Sequence, residues 1–211
     1  MFRLIGVYDY TVILTYLSLI SSVCGMIQAL HGDCKTAIFC LAFSGLCDGF
    51  DGRVARTKKD RTEDEKQFGI QLDSLCDVIC FGVFPVIICY QIGVRGLLGV
   101  VLVSFYCMCA VCRLAFFNVL EGKRQQEQGG CNKTYRGLPV TSISYILPVV
   151  FWTQYLMTPA VFVLILHFVL LVVGLLFVLD FPIKKPGLKT TLMMIGVCVA
   201  IVAIIFVCTQ L

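Results

Sequence analysis

Asp48 and Asp51 stand three residues apart, and Gly69, Asp73 and Asp77 follow one another at steps of four. Side chains three or four residues apart share one face of an α-helix. Each group therefore forms a stripe with two carboxylates if its segment is helical. Two antiparallel helices turning these stripes toward each other would bring four carboxylates into one small volume. Cations relieve their mutual repulsion, and oxygen ligands of this kind suit Mg²⁺, Mn²⁺ or Ca²⁺. Gly52, Ala55 and Gly69, interleaved with the acids, leave room for a ligand to approach the backbone or let the helices pack closely. Two divalent cations about 3.5–4 Å apart can clamp a phosphoryl group during an in-line displacement. A carboxylate not fully used in ligation can serve as general base. The plainer alternative is that the acids pair with the lysines and arginines of the adjoining loop.

The elements that must carry these acids are apolar. The chain has 211 residues, 59% hydrophobic and 14% charged, with a mean hydropathy of +0.92. Soluble domains carry about 25% charged residues, so the bilayer is the expected solvent for most of this surface. The length suits one polytopic membrane domain over residues 1–211. Membrane lipids are the expected surroundings, and no nucleic-acid partner is expected. MFRLIGVYDY shows no cleavable secretory signal, so the first span is expected to stay as an anchor. The same stretch is compatible with an amphipathic helix lying in the interface or with a frayed tail.

A helix crosses the hydrocarbon core with about 20 mostly apolar residues. Seven such segments are expected, over Thr11–Leu30, Lys35–Arg56, Gly69–Tyr90, Gly96–Asn118, Leu138–Tyr155, Pro159–Leu179 and Leu188–Thr209. The fifth is the weakest, with Pro139 and Pro148 inside it, and six or eight spans are also compatible. With the first residues in the cytosol, fifteen of the seventeen Lys and Arg residues fall on the cytosolic side, leaving only Lys35 and Arg95 outside. That asymmetry follows the positive-inside rule. It sets all four aspartates at the cytosolic boundary, with Arg113, Asn118 and Arg136 at the same depth. Most of the thirteen cysteines lie in apolar runs, where they pack as small hydrophobes. The loop TKKDRTEDEKQ reads as a solvated, mixed-charge linker.

Asp48-x-x-Asp51-Gly52-x-x-Ala55-Arg56, followed by Gly69-x-x-x-Asp73-x-x-x-Asp77, resembles the signature of the CDP-alcohol phosphatidyltransferases, with every defined residue present. The departure is the gap of twelve residues between Arg56 and Gly69, longer than the family's usual one; an extra helical turn would absorb it. The resemblance implies an all-α membrane bundle with a six-helix core, to which the seven apolar segments add one C-terminal span. It implies a CDP-diacylglycerol donor and two divalent cations, Mg²⁺ or Mn²⁺. By carry-over, Asp48, Asp51 and Asp73 ligate the metals. Asp77 contacts one of them and deprotonates the acceptor alcohol. Gly52, Ala55 and Gly69 would line the nucleotide site, with Arg56 supporting it electrostatically. The resemblance also admits a homodimer, an active site facing the cytosol, and residence in the endoplasmic reticulum membrane or a prokaryotic cytoplasmic membrane.

CRLAFFNVLE (Cys112–Glu121) and YRGLPVTSISYILP (Tyr135–Pro148) resemble segments of the phosphatidylserine synthase branch, although Phe116-Phe117 alters the first. That makes L-serine the expected acceptor, with inositol or glycerol 3-phosphate as alternatives. An arginine can clamp the serine carboxylate through two parallel hydrogen bonds. Arg113 and Arg136 are the candidates, with Asn118 as a neutral partner. Each arginine is equally placed to bind a lipid phosphate, and Arg113 to snorkel to the headgroups. A cation transporter is the reading from another class, since intramembrane acids also mark ion pathways. Acids gathered at one depth do not trace such a route.

Overall fold

A computed structural model describes residues 6–58, 60–126, 134–184 and 196, with side chains throughout except at 123–126, 134–136 and 183–184. The span expected over Leu188–Thr209 lies outside the described residues, as do Lys185 and Lys189. Helices α1 (Ile13–Leu30) and α2 (Cys34–Ala55) form an antiparallel hairpin. Helix α3 (Glu63–Asp77) runs through a π-helical turn (Val78–Val83) into α4 (Phe84–Ile92). Helices α5 (Gly96–Gln126), α6 (Ile143–Trp152) and α7 (Pro159–Val178) complete the described bundle.

Among the described residues, four stretches are long and apolar enough to cross a membrane: Tyr10–Leu30, Glu63–Ile92, Gly96–Gly122 and Pro159–Val178. The expected second span, α2, is long enough, but every 18-residue stretch of it holds Asp48, Asp51 and either Lys35 or Arg53. The site itself lowers the apolarity of the helix that carries it. The expected fifth span is a shorter apolar stretch, Val140–Leu156, made of α6 with a 3₁₀ turn at each end.

Helix α1 docks on α2 through a repeat of small side chains. Thr11, Thr15, Ser18, Ser22, Gly25 and Ala29 alternate in steps of four and three and are all buried. Ser18 Oγ lies 2.6 Å from Ser44 Oγ, and Ser22 Oγ donates to Ser44 Oγ at 2.9 Å. Lipid tails give helices no hydrophobic reason to associate, so small side chains and hydrogen bonds supply the contact. Gly45 of α2 completes the fit against α6, since a Cβ there would overlap Ser144.

The π turn follows Asp77 directly. Pro85 has no N–H to give the Phe81 carbonyl four residues earlier. Tyr106 of α5, fully buried, donates its hydroxyl to that carbonyl at 2.8 Å. Cys107 Sγ lies 3.4 Å from the next carbonyl, that of Gly82. Single π turns often mark functional sites, and this one joins the acidic half of the long helix to its apolar half.

The all-helical expectation holds for the bundle, with one small addition. Strands β1 (Thr134–Arg136) and β2 (Pro182–Lys184) pair antiparallel, with Arg136 opposite Pro182. The ribbon ties the loop before α6 to the chain after α7. Gly137, at φ +70°, closes it; a Cβ there would sit 2.7 Å from the Leu179 carbonyl and 2.8 Å from Arg113 Nη1.

Candidate active site

The acids meet because α2 and α3 pass each other in opposite directions, the last two turns of α2 meeting the last turns of the acidic stripe of α3. Asp48, Asp73 and Asp77 each place a carboxylate oxygen within 4.8 Å of the others. Asp48 lies against Asp77, and Asp51 against Asp73. Asp51 and Asp77 are buried, 9% and 8% exposed. Asp73 Oδ1 is buried without a hydrogen-bond partner. A buried carboxylate oxygen with no donor is costly, and carboxylates in contact are held together by cations or shared protons. An all-oxygen set with an unfilled acceptor fits a hard divalent cation.

Thr15 of α1 adds a contact to this cluster, donating from Oγ1 to Asp51 Oδ2 at 3.1 Å. The motif does not contain Thr15. The signal for it is the step-of-four-and-three repeat of small residues in α1, which runs straight into the acidic end of α2.

A cleft with about 460 Å³ of space, partly open to solvent, leads to the acids. Its wall combines Thr11, Val12 and Thr15 with Asp51, Gly52 and Ala55 of α2 and Lys66, Gly69, Ile70 and Asp73 of α3; Arg61 comes from the loop between them. A Cβ on Gly52 would meet nothing within 4 Å, so its side of the cleft is open. Gly69 differs: a Cβ there would lie 2.6 Å from Arg61 Nη2. Gly52, Ala55 and Gly69 thus share one cavity, while Arg56 is exposed at the C-cap of α2, outside the cleft wall.

The loop departs from the solvated linker expected of it. Thr62 caps α3 in a capping box with Glu65, and Glu63, Asp64 and Glu65 fill the first turn. Acids there complement the positive end of the helix, so a charged stretch becomes helix six residues before Gly69. Lys58 bridges Asp9 at 2.8 Å and Glu65 at 3.3 Å, and Tyr10 Oη lies 3.2 Å from Thr57 Oγ1. The described part of the leading segment is therefore latched over the loop beside the cleft. The Lys58 ammonium, then the Thr11 hydroxyl, hold the Asp9 carboxyl down at about 2.

The expected acceptor residues sit around this centre in different ways. Arg113 is 7% exposed and donates to the carbonyls of Phe177 (3.3 Å) and Gly137 (3.2 Å), with its guanidinium 5.4 Å from the Phe117 ring centre. It joins α5 to the end of α7 and to the ribbon rather than snorkelling. Asn118 accepts from Ser74 Oγ at 2.6 Å and donates to Gln71 Oε1 at 3.3 Å, so it fastens α5 to α3 beside Asp73. The backbone of Arg136 lies in β1, and its side chain is outside the described residues.

Residues 10–202 match the family model for CDP-alcohol phosphatidyltransferase. The chain is 37% identical over 106 residues to CDP-diacylglycerol–serine O-phosphatidyltransferase of Saccharomyces cerevisiae, covering 49% of this chain and 37% of that protein. It is 32% identical over 133 residues to archaetidylserine synthase of Methanothermobacter thermautotrophicus, 63% of this chain and 54% of that protein. A Helicobacter pylori CDP-diacylglycerol–serine O-phosphatidyltransferase is 40% identical over 85 residues, 39% of this chain and 34% of its own length. The matched segments thus span from about a third to about half of these relatives. With the acidic signature on two converging helices and the family match running through nearly all of its length, the chain belongs to the CDP-alcohol phosphatidyltransferase family.

Proposed function

We propose that this protein is a membrane enzyme that transfers the phosphatidyl group of CDP-diacylglycerol to the hydroxyl of L-serine, giving phosphatidylserine and CMP. The observation that carries this is the convergence of Asp48, Asp73 and Asp77 around an unpartnered Asp73 oxygen, at the end of a cleft walled by glycine and alanine. The choice of serine is supported by the relatives named for serine transfer.

Asp48, Asp51, Asp73 and Asp77 are the residues that would hold divalent cations, Mg²⁺ or Mn²⁺. Such ions, when bound, neutralise charge on a diphosphate and on the departing nucleotide. Thr15 keeps the Asp51 carboxylate oriented through its hydrogen bond. Gly52 and Ala55 leave the α2 side of the cleft open for the cytidine, Gly69 makes room for Arg61 across from them, and Arg56 adds positive charge at the rim. Asp77, buried beside Asp48, takes the proton of the serine hydroxyl. The hydroxyl oxygen forms a bond to the phosphorus that bears diacylglycerol, the bond from that phosphorus to the CMP oxygen breaks, and CMP leaves with the electron pair. The apolar outer faces of the bundle keep the acyl chains of donor and product in the bilayer. The concentration of Lys and Arg at the site's end of the spans supports a site facing the cytosol, on the endoplasmic reticulum or a prokaryotic cytoplasmic membrane.

Purified protein given labelled CDP-diacylglycerol and each alcohol separately tests this. Release of CMP with serine, and not with inositol or glycerol 3-phosphate, is expected. Equal turnover with inositol would reassign the acceptor, and no CMP release with any alcohol would overturn the enzyme assignment.

A further inference from the structure

Two residues that line the same cleft each hold a buried polar atom without a partner, and the two atoms are of opposite character. One is the acceptor Asp73 Oδ1; the other is the donor Arg61 Nε, also buried with no partner. Among the described residues, the Arg61 guanidinium makes one hydrogen bond, from Nη2 to the Glu65 carbonyl at 3.1 Å, which uses one of its five N–H donors. Among the described residues, Arg61 enters no ion pair, although Asp51 and Asp73 share its cavity. Its position depends on Gly69, whose missing side chain leaves the space that Nη2 fills.

We propose that Arg61 is a donor-binding residue that grips a phosphate of the nucleoside diphosphate from the loop side of the cleft. The proposal rests on the donor assigned above and adds a ligand that the acidic signature does not contain. Gly69 and Asp73 are one helical turn apart on α3, about 5–6 Å. An anion between them faces the guanidinium on one side and cations held by the acids on the other. Lys66, on the same wall and itself 2.6 Å from Glu63, adds positive potential. The acceptor is a poorer candidate for this arginine. The general base Asp77 lies eight residues beyond Gly69, about 12 Å along the helix, and serine is too short to touch both. The longer gap between Arg56 and Gly69 thus has a use: it carries a guanidinium back over the small residues.

Titration of CDP and of cytidine into the purified protein, followed by calorimetry, separates a phosphate contact from a general effect. Arg61→Gln is expected to weaken CDP binding about tenfold or more, the scale of a lost charge-assisted hydrogen bond, and to leave cytidine binding unchanged. Arg61→Lys, which keeps the charge without the fork, should fall between. Gly69→Ala should weaken CDP binding in the native background and add little to Arg61→Gln, because both act on one guanidinium. Unchanged CDP affinity in Arg61→Gln would overturn the proposal. So would an equal loss for CDP and cytidine, or a rise confined to the KM for serine. Wild-type protein that binds no CDP would remove the donor assignment and this role with it; wild-type binding that Arg61→Gln leaves intact removes this role alone.

Discussion

Tyr106 donates its hydroxyl to the carbonyl of Phe81, 2.8 Å away and four residues beyond Asp77. Pro85 withholds the α-helical donor from that carbonyl, so a side chain from another helix secures the turn behind the acidic stripe. Tyr106→Phe keeps the ring and its contact with Phe177 while leaving a buried carbonyl short of its donor. A loss of about 1–3 kcal/mol is expected, measured as a lower Tm of the purified protein. With Asp77 less firmly aimed, kcat should drop several-fold while the KM for the donor stays near its native value. A shift in KM alone would separate Tyr106 from the aim of Asp77.

Thr15 tests whether orientation of Asp51 matters to cation binding. Thr15→Val preserves shape and removes the hydroxyl that Asp51 accepts from. Groups that orient metal ligands typically contribute about 10–100-fold to metal affinity or activity. The Mg²⁺ concentration giving half-maximal CMP release should rise by about that factor, and Thr15→Ser should restore it. Equal Mg²⁺ dependence in Thr15→Val and wild type would show that α1 only packs there.

Arg113 separates a structural joint from an acceptor clamp. It donates to the Phe177 and Gly137 carbonyls, so Arg113→Gln should lower Tm and reduce kcat with all alcohols alike. Gly137→Ala presses on the same joint, through its positive φ and the 2.8 Å approach to Arg113 Nη1, and should cost about 1–2 kcal/mol or more. A rise in the serine KM alone for Arg113→Gln, at unchanged Tm, would make Arg113 a clamp instead.

The latch between Asp9 and Lys58 carries a pH signature. The Asp9 carboxyl is held at about 2, below its ordinary value of 3.8, by Lys58 and Thr11. A folded-state value below the unfolded one gives stability that is fully present above about pH 4 and is lost as pH falls toward 2. Asp9→Asn should therefore lower Tm above pH 4, by an amount that shrinks with added salt, and converge on wild type as pH falls through and below about 2. A constant difference across this range would show that the latch acts through something other than the carboxylate.

The acids were legible in the sequence because a helix converts spacings of three and four into one face, and nothing distant is needed to see it. Gly52, Ala55 and Gly69 could be read for the same reason, and all three line the cleft. Thr15 and Arg61 could not be read from the acidic motif. Thr15 reaches Asp51 only because α1 docks on α2 through its small-residue repeat, and the charges around Arg61 look like a solvated linker until the capping box turns half of them into helix. Pro85 marks a break, but the residue that repairs it, Tyr106, is on another helix. The β1–β2 ribbon pairs three-residue strands nearly fifty positions apart, too short and too distant to leave a local pattern.

The central claim is that the acids of α2 and α3 hold divalent cations as one unit. Electron paramagnetic resonance of Mn²⁺ titrated into the purified protein, with CDP present, reads this directly. Saturable binding that is lost or severely weakened in Asp48→Asn, Asp73→Asn and Asp77→Asn alike, each still folded by Tm, is the result expected. Mn²⁺ binding in wild type no tighter than in a variant lacking all four carboxylates would contradict it.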